Sequence, residues 1–149
     1  MKLYLHILII LNFLFSNLIF SQEETTKFYI TELRGDISLE MEINNLESNK
    51  GPIYIRILDE NENPVIVGTS PVINYSAEIS FDSISPGKYA IQFFHDENEN
   101  QKMDFNLIGI PKEKFGSSNN VKPVLGPSKF EKMLFNLTEN KKIIMIPVN

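Results

Sequence analysis

The chain has 149 residues, neither cysteine nor tryptophan, and 19 acidic against 14 basic side chains, for a formal net charge of −5. A mildly acidic chain is a poor partner for nucleic acid or an anionic membrane surface, because both require clustered Lys and Arg. Without Cys there are no disulfide staples and no Cys-ligated zinc, so stability rests on packing one core, which a chain of this length can build alone.

Met1-Lys2 is a short positive start, and Leu3 to Phe20 is apolar except for His6, Asn12, Ser16 and Asn17. This pattern predicts a secretory signal peptide, residues 1–21, cut after Ser21. The other reading of the same run is a retained anchor, since it is nearly long enough to span a bilayer. Cleavage leaves a lead-in at 22–35 and one domain at 36–149, with no stable membrane span. It implies an exported protein, periplasmic or extracellular.

Phe28 to Leu33 reads as a short early strand. From Asp36 to Asn44, Ile37, Leu39, Met41 and Ile43 alternate with Ser38, Glu40, Glu42 and Asn44, the period of a half-buried strand. Asn49-Lys50-Gly51-Pro52 is a turn signal. Ile53, Ile55 and Ile57 form the next apolar face, with Tyr54, Arg56 and Leu58 opposite. Pro64 to Val67 reads as a short edge strand because of its proline. Ala77, Ile79 and Phe81 mark another strand, and Ser85-Pro86-Gly87 a tight turn. Lys88 to His95 places Tyr89, Ile91, Phe93 and His95 on one side, with Phe94 suggesting burial on the other. Leu107 to Pro127 has no clear period and reads as a long loop excursion. Met133, Phe135 and Leu137 share a face of a strand within Phe130 to Thr138. Lys141 to Val148 is a last strand, apolar on both sides. Seven or eight short strands without a convincing helix predict an all-β fold, a single antiparallel β-sandwich.

The stretch His95-Asp96-Glu97-Asn98-Glu99-Asn100-Gln101-Lys102-Met103-Asp104 carries the one candidate ion site. Counting Asp96 as position 1, Asn98, Asn100 and Asp104 take positions 3, 5 and 9, and Lys102 at position 7 would offer its carbonyl. A calcium ion prefers six to eight oxygen ligands, and an EF-hand draws on these same positions. Position 6 is Gln101 instead of Gly, and position 12 is Leu107 instead of a bidentate Glu, so an EF-hand is excluded. The metal candidates are therefore Asp96, Asn98, Asn100, Lys102 and Asp104, with Glu97 or Glu99 as helpers and Ca²⁺ as the cofactor. Affinity in the range of about 10⁻⁴–10⁻³ M is expected. The pentapeptide Asp-Glu-Asn-Glu-Asn also occurs at Asp59 to Asn63, where Pro64 takes position 6 and no acid closes the loop. That copy reads as a polar turn, and a solvated Asn-rich loop is the competing reading of the second copy as well.

The runs Ser85-Pro86-Gly87-Lys88-Tyr89, Phe94-His95-Asp96-Glu97-Asn98, Asp104 and Gly109-Ile110-Pro111-Lys112-Glu113 resemble the bacterial family called domain of unknown function 2141. The likeness continues through Phe115-Gly116-Ser117-Ser118-Asn119-Asn120 and Gly126-Pro127-Ser128-Lys129-Phe130-Glu131. It implies an exported β-sandwich of transthyretin-like or Cna-B type with no assigned activity. Asp96, Asn98, Asn100 and Asp104 match the family's oxygen positions. The family commonly has Gly where this chain has Glu99 and Gln101, so the same left-handed loop geometry is in question here.

His95 lies beside the loop and is expected to bond a nearby backbone or carboxylate group. A zinc site lacks further His or Cys. A hydrolase centred on His95 would need Ser117 or Ser118 next to it. Phe105, Phe115 and Phe130 offer a surface for a glycan or peptide at the cell envelope, with a satellite core as the competing reading. The expectation is a non-enzymatic envelope accessory or binding module. The alternative is a glycan- or peptide-binding module using residues 105–130.

Overall fold

The computed structural model describes residues 27–30, 34–123 and 128–148. The expected signal peptide lies outside these residues. The strands are β1 (Lys27–Ile30), β2 (Ile37–Ile43), β3 (Ile53–Asp59), β4 (Pro64–Ser70), β5 (Ala77–Ile84), β6 (Gly87–His95), β7 (Phe115–Ser117), β8 (Phe135–Leu137) and β9 (Lys141–Met145). Two single-turn 3₁₀ helices, Ser118–Asn120 and Phe130–Lys132, are the only helical pieces among the described residues.

The strands form two sheets. The larger has the order β1-β4-β3-β6-β7, and β8 pairs with β6 beside β7. β7 takes Gln92 to Phe94 and β8 takes Gly87 to Tyr89, so two three-residue strands share one edge of β6 end to end. The smaller sheet is β5-β2-β9. Alternation dictates the core: Leu39, Met41 and Ile43 from the small sheet are buried with Ile53, Ile55, Ile57, Ile91 and Phe93 from the large one. Each such side chain contributes about 1.5–3 kcal/mol on leaving water. Among the described residues no helix is long and apolar enough to cross a membrane.

Several local readings are corrected. The sandwich is not purely antiparallel, because β9 runs parallel to β2, Leu39 opposite Lys141 through Ile43 opposite Met145. The described residues form nine strands rather than seven or eight. β1 lies where the short early strand was expected, inside the 22–35 stretch, and pairs with β4. β4 is therefore an interior strand between β1 and β3, and Pro64 is its first residue. The first residue of a strand is a position where proline is tolerated. Phe130–Lys132 is a helical turn, and only Phe135–Leu137 of the expected strand is extended. The outer side of β9 is wet: Ile144 is 53% exposed while Met145 is fully buried.

The outward faces of β3 and β6 matter for function. Antiparallel register sets Tyr54 opposite Phe94 and Arg56 opposite Gln92. Tyr54 and Phe94 stack, with centroids 5.1 Å apart and planes within 13°. Phe94 is half-buried on this outer face, so β6 does carry apolar contacts on both sides near its end.

Candidate metal centre

β6 ends at His95, and the chain turns at once into the loop. The turn is anchored from below: the Asp96 N–H donates to the Pro52 carbonyl (3.0 Å) and the His95 N–H to the Lys114 carbonyl (2.8 Å). Gly51, at φ +69°, permits the approach, since a Cβ there would lie 1.9 Å from the Asp96 carbonyl oxygen.

Asp96 is fully buried, and its carboxylate organises the loop. Oδ1 accepts the Asn100 N–H (3.1 Å) and Oδ2 the Gln101 N–H (2.7 Å). Asn98 Oδ1 accepts the Asn100 N–H (3.2 Å), and Asn100 Oδ1 accepts the Lys102 N–H (3.0 Å). The amides of Asn98 and Asn100 both donate to Asp104 Oδ2, at 2.7 and 2.9 Å. Asp96, Asn98, Asn100, Lys102 and Asp104 thus belong to one hydrogen-bonded loop. Each Asn side chain carries an oxygen on the same carbon as its NH₂, so a half turn exchanges donor for acceptor.

The two Asp-Glu-Asn-Glu-Asn copies fold alike and then part. In both, the Asp side chain accepts the N–H four residues on, from Asn63 (2.8 Å) or Asn100 (3.1 Å). In both, the fourth residue is left-handed: Glu62 at φ 65° and Glu99 at φ 58°. Asp59 also takes the Asn61 N–H and the Asn63 side chain, and these bonds, the Asn63 side chain first, hold its carboxyl below the usual carboxylate range. At position 6, Pro64 is locked near φ −65° and starts β4, whereas Gln101 turns left-handed at φ 66° and continues the curl. Glu99 and Gln101 therefore keep the left-handed geometry despite lacking the family's glycines, at a cost of about 1–2 kcal/mol each.

The acid absent from the sequence reading is Glu113. Oε2 accepts the Asp104 N–H (3.0 Å), and the Lys112 N–H donates to the Asp104 carbonyl (2.9 Å). Glu113 is 7% exposed, and its Oε1 is buried with no hydrogen-bond partner. Burial pushes its carboxyl above the usual range; the Asp104 N–H draws it partly back, and the charges of Asp96 and Asp104, with the hydrogen bond its protonated form shares with the Asp96 carboxylate, push it up again. Neighbouring Lys114 pairs with Glu47 (3.0 Å). Glu113 reaches the loop because Phe105 to Pro111 forms a small hairpin, closed by the Phe105–Pro111 bridge and by Asn106 Oδ1 accepting from Ile108 and Ile110. Gly109-Ile110-Pro111 was the available signal that the chain turns back.

Among the described residues, no three His, Cys, Asp or Glu side chains form a ready-made metal cluster. A cation here would depend on amide and main-chain oxygens as well as carboxylates, as calcium does and zinc does not. Glu97 and Glu99 are exposed. His95 is fully buried, with Nε2 donating to the Lys50 carbonyl (2.8 Å). Ser118 Oγ donates to the Met133 carbonyl (2.6 Å) and accepts the Ile91 N–H (3.0 Å). Both side chains are thus engaged with backbone. Phe105 and Phe115 line a shared groove over the outer face of the large sheet, which Phe130 does not line.

The chain matches no curated protein and no solved structure. Residues 41–145 match a bacterial family, and the chain accordingly belongs to the family described as "Uncharacterized protein conserved in bacteria (DUF2141)".

Proposed function

We propose that this chain is an exported, non-enzymatic β-sandwich module whose 96–113 loop binds Ca²⁺ and is stiffened by it. One observation carries the reading: Glu113 holds a buried oxygen that receives no donor and faces the Asp96 carboxylate, with Asp104 beside it. A buried carboxylate oxygen without a donor is costly, and a divalent cation would satisfy it. Asp96, Asn98, Asn100, the Lys102 carbonyl, Asp104 and Glu113 would together supply six oxygens, the lower end of calcium's preference. Export rests on the apolar run after Met1-Lys2.

The test starts from the full chain expressed in a bacterial host and purified from the exported fraction. Retention of the whole pool in the cytoplasm overturns the location. The purified protein is then unfolded thermally in calcium and in chelator. Binding to the folded state alone stabilises by about 2.7 kcal/mol at a hundredfold excess over Kd. The expected rise in Tm is lost in Asp96→Asn and Asp104→Asn. No shift at millimolar calcium leaves a polar loop and removes the proposal.

A second reading, a binding module using residues 105–130, is supported by the groove that Phe105 and Phe115 line.

A further inference from the structure

The groove has a volume of about 700 Å³. That is within the range of about 300–1,000 Å³ typical of small-molecule sites. Its floor is the stacked Tyr54–Phe94 pair, and one wall is the 105–111 hairpin, with Phe105 55% and Ile110 49% exposed. A surface of this kind gains by being covered with apolar atoms.

One charge stands in it. The Arg56 Nε–H donates to Gln92 Oε1 (2.7 Å), and the Gln92 amide in turn reaches Met133 Sδ (3.2 Å). Gln92 therefore holds the guanidinium by one corner. Arg56 makes no ion pair among the described residues, although the chain is acidic overall. The two terminal nitrogens remain as a planar fork, the geometry that takes a carboxylate through two parallel hydrogen bonds.

We propose that this groove binds a small amphipathic monocarboxylate, its apolar body on Tyr54 and Phe94 and its carboxylate on Arg56. The inference deepens the binding-module reading above and does not depend on calcium. A glycan would need many polar partners, and the walls are mostly apolar. A peptide would bring an N–H and a C=O per residue against the same walls. A single guanidinium in a net negative chain suits one negative charge better than the two of a phosphate monoester.

The experiment is calorimetric titration of the exported protein, in chelator, with sodium decanoate, 4-phenylbutanoate and decanol. Saturable binding of at least one carboxylate is expected, and the preferred acid tells an acyl from an aryl body. Arg56→Gln is expected to weaken it about tenfold, to the level of decanol. Ile110→Asp, at the exposed lip, should abolish it. Equal binding of decanoate and decanol, or no effect of Arg56→Gln, overturns the assignment of the head group. Failure of both acids while a glycan or peptide panel binds overturns the ligand class and leaves the module reading standing. Failure of every probe overturns both.

Discussion

The Asp104 N–H donates to Glu113 Oε2 at 3.0 Å while Glu113 Oε1, buried, receives no donor. The pair closes the loop and leaves one oxygen in reserve. Its titration gives the first prediction. The Glu113 carboxyl sits above its ordinary value of 4.5, chiefly through burial. The stabilising protonated form is fully present below that value, and its contribution is lost as pH rises through the raised one. In chelator, stability should therefore fall as pH rises above the ordinary glutamate range. Asp59 and Glu42, both held below their ordinary values, act only as pH falls through theirs. Glu113→Gln should flatten the high side of the profile and also remove the calcium response. Chemical denaturation of both proteins across pH reads both effects. A neutral-pH loss of stability in chelator for Glu113→Gln would mark the side chain as purely structural.

The left-handed loop residues give a second prediction. Glu99 and Gln101 pay about 1–2 kcal/mol each for positive φ, partly offset in a glycine variant by greater freedom of the unfolded chain. Glu99→Gly and Gln101→Gly should each stabilise by about 0.5–1 kcal/mol, measured by urea midpoint at constant slope. Calcium affinity should rise or hold. A fall in both would mean that the loop is shaped differently.

Gly51→Ala should do the reverse. Its Cβ would press on the Asp96 carbonyl at 1.9 Å, at a φ of +69° that alanine disfavours. Destabilisation of more than about 2 kcal/mol is expected, with loss of the calcium-dependent shift in Tm. An unchanged shift would show that the loop is not anchored on the 51–52 turn.

His95→Phe tests the role of the buried imidazole. Removing the ring N–H orphans the Lys50 carbonyl, for a cost of about 1–3 kcal/mol. The calcium response should survive, because His95 supplies no oxygen to the loop. Loss of an enzymatic turnover in this variant, with folding intact, would revive a hydrolase centred on His95.

Much of the sandwich was legible because burial follows parity. Leu39, Met41, Ile43, Ile53, Ile55, Ile57, Tyr89, Ile91, Phe93 and His95 face inward as their alternation demands. Partners of strands are another matter. Nothing local in Lys141 to Met145 says that it lies parallel to β2, and the three residues of β7 are too few to show a period. The hydrogen-bonded turn of the 96–104 loop was legible because Asx-type bonds are local. Glu113 was not, since it returns to the loop only through the 105–111 hairpin. The groove was half legible: Tyr54 and Arg56 were placed on the outer side of their strand, but their cross-strand partners depend on register.

The β2–β9 pairing has a consequence for how the chain is made. Ser38 donates to Asn140 across 102 residues, and the whole inner edge of β2 waits for Lys141 to Met145. A nascent chain emerging from the ribosome holds one half of this ladder long before the other exists. The small sheet therefore has an open flank until Lys141 to Met145 have been made. A chain truncated before Lys141 should fail to become protease-resistant.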